Sequence, residues 1–499
     1  MPSTFSTFNI AWKGLFAARL GMDVTSHNVA NANTEGYSRQ VLSLAASRPA
    51  TMIGLNRAAG PGQIGRGVDV VAINRMKDQF VLSLLQREQS VMGYWKTKTQ
   101  TYERIEMMFG EPSDSGIAFA MDEFFGSLQA LSRNPEDIAV REVVLQKGAV
   151  LADTISLIYS QVRSIYQSTT DLVDAKVSRL NSLATEVAEL NKEIATVVRL
   201  GGRPNDLLDK RDMLIREMCT IIDVQVLPVE DEIVNIAING VNLVHRYDTR
   251  PIEVDIDQST GKVQGLRWQE FGTGIVASSG EIAALLETNN VLIPQYLDSL
   301  NDLARELARN INEIHSRGYD LDGNPGGLFF VDSRTPKVPT APGESDPNPI
   351  PLNFSDLDFE FARYIGVNPY LDARKVAAAS EPPDASGPKK GDGSNALAMA
   401  QLADSRIMES GRSTFADFFN GIIGKLGVDS EQASFMSDSQ EAIVDNLKNW
   451  DSSISGVSLD EEVTNLVRYQ HSYAAAARVI TVVDQMLELI TTRLGLAGR

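Results

Sequence analysis

Residues 318–327 come nearest to a metal site in this 499-residue chain. Asp320, Asp322 and Asn324 take the first three ligand positions of an EF-hand calcium loop, but Pro325 stands where that loop needs glycine and Val331 where it needs a bidentate glutamate. A glycine-rich turn closing a helix hairpin is the better reading. Residues 205–212 gather three carboxylates and two bases; the same residues make a capped helix start with i,i+4 pairing such as Asp206–Lys210. The four histidines, His27, His245, His315 and His471, stand at no metal-ligand spacing. Asp460, Glu461 and Glu462 are consecutive, so on a helix they point in different directions and form no acid–base pair. Gly60-x-Gly62 and Gly65-x-Gly67 lack the lysine and hydroxyl residue of a phosphate loop, and neither Gly-x-Ser-x-Gly nor His-Glu-x-x-His occurs. Cys219 is alone, which excludes an intrachain disulfide, and beside Met218, Ile221 and Ile222 it reads as a small buried hydrophobe. No catalytic residue, metal or cofactor is expected.

What the sequence builds instead is helical surface. Near the C-terminus one heptad seam runs through Leu459, Val463, Leu466, Tyr473, Ala477, Ile480 and Leu487, and a second, one residue back, through Tyr469, Ala476, Val479, Val483, Met486 and Ile490. One residue is about 100° of rotation, so the two seams form a single wide apolar sector that one partner helix cannot cover. At the other end Phe5, Phe8, Trp12, Leu15, Met22 and Val29 mark an amphipathic helix of about twenty-five residues, whose natural partner is the C-terminal helix. Asn28, Asn31, Asn33, Gly36 and Tyr37 then read as a structured turn, since Asn and Gly tolerate left-handed backbone.

Between the termini, residues 50–67 read as an irregular connector and 68–73 as a strand. Helices are expected over 74–109 and 117–131, then over the longest heptad run, from Ala152 to Val197, which Gly201 to Pro204 ends. From Asp223 the apolar period falls to two, with a hairpin turn at Asn239-Gly240. Helix resumes at 279 and again over 291–317 with a seam from Ile293 to Ile314. Prolines crowd residues 336–351, which read as linker; 352–361 is expected to add a strand, and 395–411, 415–426 and 430–453 helices. The fold class is thus mainly α with a β insertion: a discontinuous helical bundle or coiled coil built from both chain ends. The expected domains are 1–40 with 456–499 for assembly; 41–218 with 279–332 and 392–455 as a long-helix bundle; 219–278 as the β insertion; and 333–391 as a minor loop insertion. A formal charge of -19 argues against nucleic-acid or anionic-membrane binding, and no apolar run is long enough to span a bilayer. The first residues lack the basic and apolar regions of a cleaved signal peptide.

The run from Asp23 to Gln40, Asp-Val-Thr-Ser-His-Asn-Val-Ala-Asn-Ala-Asn-Thr-Glu-Gly-Tyr-Ser-Arg-Gln, resembles the N-terminal signature of bacterial flagellar axial proteins, the rod, hook and hook-associated family. Its Ser38-Arg39-Gln40 ending, residues 205–212 and residues 318–327 look most like the hook-associated branch, and residues 456–473 resemble the family's C-terminal signature. The resemblance implies a structural subunit joining hook to filament, with the paired terminal helices as the inner tube. It further implies export without cleavage by the flagellar type III apparatus, a chaperone on the C-terminal helix, and contacts with copies of itself, the hook protein and the third hook-associated protein. A hook or rod subunit is the alternative within the family, and a coiled-coil adhesin the alternative outside it. The least remote enzyme would be a muramidase-type rod accessory.

Overall fold

The computed structural model describes residues 4–47, 65–110, 113, 115–257, 262–335, 349–356, 359–385 and 387–493. The chain opens with α1 (Thr4–Ala30), turns through 31–37, and forms an antiparallel hairpin of β1 (Gln40–Ala46) and β2 (Val68–Arg75). Then come α2 (Gln79–Phe109), α3 (Ile117–Arg133), α4 (Ile138–Arg199) and α5 (Asn205–Ile221). The β insertion holds β3 (Gln225–Pro228), β4 (Val234–Ile238), β5 (Val241–His245) and β6 (Asp248–Thr249) in one antiparallel sheet. A second sheet holds β7 (Ile252–Ile256), β8 (Val263–Trp268) and β9 (Gly274–Ile275). Asn239 and Gly240 both have positive φ, as the tight β4–β5 turn requires. Helices α6 (Glu281–Glu287) and α7 (Ile293–Arg317) follow, joined by a π-helical turn over Thr288–Leu292. Strand β10 (Phe330–Asp332) pairs with β11 (Ile365–Val367), which is entered from the short α8 (Phe361–Tyr364). The chain closes with α9 (Ser394–Ala400), the helical turn α10 (Met408–Gly411), α11 (Phe415–Ser455) and α12 (Leu459–Arg493).

The spine is α4, whose 62 residues make a rod of about 90 Å. Asp137 caps it by accepting from the Ala139 N–H at 2.8 Å, and the left-handed Gly201 turns the chain away just beyond its end. Its first half, through Leu151, Ile155, Tyr159 and Val162, is buried in a helical core with α2, α3, α7, α9 and the start of α11. Its second half, from Val173 to Ile194, enters a separate core with α5, α6 and the two insertion sheets. Cys219 lies in that second core, and burial pushes its thiol up to about 12.

Several expectations are corrected. Helix α2 starts at Gln79 and not at 74, because Asn74 and Arg75 still pair in β2 while Asp78 caps the helix through the Phe80 N–H. Residues 352–356 turn through Asn353, whose carbonyl accepts the Asp356 N–H, and the strand lies at 365–367 instead. The helix expected over 395–411 breaks after Ala403; Glu409 and Ser410 are left-handed. Helix α11 runs unbroken through Gly427. Glycine there costs about 1 kcal/mol, a loss outweighed by burial of Leu426, Ser430 and Ala433 on either side. The expected connector at 50–67 and the proline-rich stretch at 336–351 lie largely outside the described residues.

Candidate functional site

Helices α1 and α12 pack along each other, with the β1–β2 hairpin against α1. The contact is made by small residues. Ala11, Ala17, Ala18, Gly21, Val24, Thr25 and Asn28 are buried on α1. At Gly21 the approach is so close that an added Cβ would sit 2.6 Å from the Tyr469 ring. On α12 the inward positions draw on both seams: Leu466, Tyr469, Ala476, Ala477, Ile480 and Leu487 are half-buried and Val483 buried. The bulky residues of α1 point elsewhere. Phe5, Phe8, Trp12, Phe16 and Val29 are exposed, while Leu15 and Met22 are half-buried. Leu459, Val463, Val467, Tyr473, Val479, Val482, Met486 and Leu489 are exposed on α12, and the side chain of Ile490 is outside the described set.

Below the pair lies a polar knot. Asn28 is 1% exposed. Its Nδ2 donates to the Gln40 carbonyl (2.8 Å) and to Glu462 Oε2 (3.2 Å), and its Oδ1 accepts from the Gln40 N–H (3.0 Å) and the Tyr37 hydroxyl (2.7 Å). Having donated its proton to Asn28, the Tyr37 hydroxyl accepts from His27 Nδ1 at 2.9 Å. Burial, then the carboxylates of Asp206, Asp209 and Glu462, raise the Tyr37 pKa, so it stays a neutral donor. Arg39 closes the knot with Nε on Glu462 and Nη1 on Glu461, both at 2.8 Å. Of the turn residues, Asn31 is half-buried and donates to the His27 carbonyl at 3.1 Å, Asn33 is exposed, and Gly36 supplies the left-handed residue with φ 79°.

The knot continues into residues 205–212. Asp209 accepts from the Ser38 hydroxyl and from Arg75 Nη1, both at 2.8 Å; Asp206 accepts from Gln40 Nε2 at 2.8 Å; and Asp212 accepts from Lys77 at 2.6 Å. Burial opposes ionisation of Asp212, but Lys77 and Arg75 outweigh it and hold its carboxyl below the usual range. The expected Asp206–Lys210 pair is replaced: Asp206 turns to Gln40 and to His27, 3.7 Å away, and Pro204 stands at the N-cap without a side-chain hydrogen bond. These carboxylates anchor the terminal helices to the long-helix body. The site also takes in Ser38, Arg39, Gln40, Arg75, Lys77 and Glu462; the Ser38-Arg39-Gln40 ending signals the first three, and no local pattern signals the long-range contacts of the others. Residues 318–327 are likewise structural: Asp320 Oδ1 accepts the N–H groups of Asp322 (2.8 Å) and Asn324 (2.7 Å), and Asp322 pairs with Arg374.

A helix pair from the two chain ends, anchored on a long-helix bundle, is the architecture of a flagellar axial subunit, and comparison with known proteins agrees. Family models match at residues 8–37 (flagella basal body rod protein), 102–330 (flagellar hook-associated protein FlgK helical domain) and 452–493 (flagellar basal body rod FlgEFG protein C-terminal). The chain is 29% identical to flagellar hook-associated protein 1 of Bacillus subtilis, over 100% of both chains. It is 26% identical to the protein of that name from Escherichia coli, over 97% of this chain and 99% of the relative. The solved structure of the flagellar hook junction protein FlgK from Burkholderia pseudomallei shares the fold, with a TM-score of 0.62 and 17% identity over 74% of this chain and 100% of that one. The chain resembles flagellar hook-associated protein 1 over its whole length. It is a structural subunit of the hook–filament junction, part of the external flagellum, and assembles with other flagellar proteins.

Proposed function

We propose that α1 and α12 are the polymerising element of the junction, and that their outward apolar faces are covered by neighbouring copies. One observation carries this reading. Trp12 stacks on Phe16 with ring centroids 5.8 Å apart, yet is 52% exposed. Val479, Val482, Val483 and Met486 on α12 line a cleft of about 280 Å³. The inner contact is made of alanine and glycine, which bury little apolar area, while the large side chains that would stabilise a lone pair face outward. The pair is therefore marginal alone and reaches full order on assembly. The partners in this reading are other copies, the hook protein and the third hook-associated protein. Before assembly, an export chaperone covers the same α12 surface, and the flagellar type III apparatus exports the chain without cleavage. The chain performs no catalysis. Residues 1–40 with 456–499 act as the assembly domain, residues 41–218, 279–332 and 392–455 as the wall, and the insertions at 219–278 and 333–391 as the outer surface.

Trp12→Asp tests it. The variant is expected to fold like the parent, since the site is exposed, with stability within about 0.5 kcal/mol, and to leave cells without attached filaments although the protein is exported. Normal filaments with Trp12→Asp, and with the chain truncated through Val29, would overturn the reading.

A further inference from the structure

Helix α11 carries an outward face that none of the other described residues covers. Gly424, Val428, Phe435, Ser439, Ile443 and Trp450 fall within one sector of a 100° helical wheel. From Val428 to Trp450 no charged residue shares that sector, although the chain carries -19 overall. Phe435 is 70% exposed and Trp450 about half exposed. A solvated helix face is ordinarily its charged face, so this one is built to be covered. At Gly424 an added Cβ would meet nothing within 4 Å, so the bare backbone serves no contact among the described residues. Helix α4 carries a second such face through Val143, Gln146, Val150, Thr154, Leu157 and Gln161, with Val150 54% exposed. Charges stand only at its edges: Lys147, held by Glu123 of α3 at 2.6 Å, and Asp153 on the opposite side, exposed to solvent.

We propose that the α11 face of one copy docks on the α4 face of the next. This rests on the reading of the chain as a multi-copy assembly, and extends it from the terminal helices to the long-helix body. A ring or helical tube of identical copies needs two different, mutually complementary patches per copy, because each copy must contact one neighbour on each side. The two faces meet that need. They lie on different helices of one body: α4 and the start of α11 bury their other sides in one core with α2, α3 and α7, and the rest of α11 packs on α2 through Val444 and Leu447, so each face looks outward. They span about 40 Å on α11 and about 27 Å on α4 at 1.5 Å per residue. Neither face carries a charge within it, so their meeting buries no unpaired ion, which would cost several kcal/mol.

The test is charge placement with rescue, in cells whose own copy is deleted. Phe435→Glu and Val150→Lys sit near the centres of the two faces, both on exposed side chains, and thermal unfolding confirms that each variant folds. Each alone is expected to cut the fraction of filament-bearing cells about tenfold at unchanged export, since it buries a lone charge. The chain carrying both is expected to return to within about threefold of the parent, because the carboxylate introduced on α11 of one copy then faces the ammonium introduced on α4 of the next. Loss with Phe435→Glu alone, and no rescue, would mean that a different protein covers α11. No loss with either single variant would mean that the faces stay solvated. Either result overturns the proposal while leaving the Trp12→Asp outcome to judge the terminal helices separately.

Discussion

Glu462, in the first turn of α12, lies 3.2 Å from Asn28 near the end of α1, although 434 residues separate them in sequence. The Glu462 side chain is 3% exposed and its second oxygen is taken by Arg39 at 2.8 Å. One carboxylate therefore ties the two terminal helices to each other and to the start of β1. Replacing Glu462 by Leu leaves the Arg39 guanidinium with only the exposed Glu461 and leaves Asn28 Nδ2 with one acceptor. Breaking a buried pair from one side costs about 3 kcal/mol. In a chain already marginal at its ends, limited proteolysis of Glu462→Leu is expected to release both terminal helices while the body from α2 to α11 survives. Protection of α1 equal to the parent's would show that the carboxylate is dispensable.

Gly21 tests the close approach of the same helices. Its Cβ position is filled by the Tyr469 ring, so Gly21→Val must push α12 away along its middle or turn the ring out. The change is expected to cost about 1–3 kcal/mol as overpacking does, and to speed hydrogen exchange along α1 and α12 without altering α4. Gly21→Val combined with Tyr469→Ala should recover part of that loss, because the clash is with that ring; equal exchange in the single and double variants would contradict the packing described.

How much of this was legible follows from the range of each interaction. The α4 seam from Ala152 to Val197 and the Asn239-Gly240 turn are local patterns, and they fold as read. The partnership of α1 with α12 was legible as two ends with surplus apolar surface. The face that makes it was not: apolar periodicity marks the large Phe5, Phe8 and Trp12, whereas close helix approach selects for small side chains such as Ala18 and Gly21. The hydrogen bonds of Asp209 to Ser38 and Arg75 span 171 and 134 residues; no periodicity reports a contact of that range. Strand β1 is not legible because its seven residues, Gln40–Ala46, hardly alternate, and what defines it is the pairing with β2 across the connector.

Burial of His315 is expected to make the body of the protein acid-sensitive. Its ring is fully buried, with Nδ1 donating to the Gly327 carbonyl at 2.7 Å and Nε2 accepting the Ala377 N–H at 3.0 Å. A ring that accepts at Nε2 is neutral, and burial lowers its pKa to about 4 from the usual 6.5. The unfolded chain then binds more protons than the folded one between those values. The stabilisation is complete above about pH 6.5 and is lost as pH falls through that window toward 4, by up to about 3 kcal/mol. Chemical denaturation of the parent between pH 7 and 4 is expected to show that loss. His315→Gln, which does not titrate, is expected to be less stable at pH 7 and flatter with pH. A parallel slope in both would assign the acid sensitivity to other groups.

Two glycines in helices give opposite expectations, and so check the packing of the body with an internal control. Gly93 lies midway along α2, where an added Cβ would stand 2.4 Å from the Thr220 carbonyl oxygen near the end of α5. That atom is backbone and cannot swing aside. Gly93→Ala must therefore part the two helices, at about 2 kcal/mol, and open the second core near Met218 and Ile221. Gly126 lies within α3, with nothing within 4 Å of its Cβ position. There alanine removes unfolded-chain freedom and adds helix propensity, so Gly126→Ala is expected to stabilise by up to about 1 kcal/mol. Thermal unfolding of the two variants should move in opposite directions. A stabilised Gly93→Ala would mean that α2 and α5 do not approach as closely as the carbonyl contact requires, and the anchor from Lys77 to Asp212, which joins the start of α2 to the same helix, would have to be redrawn with it.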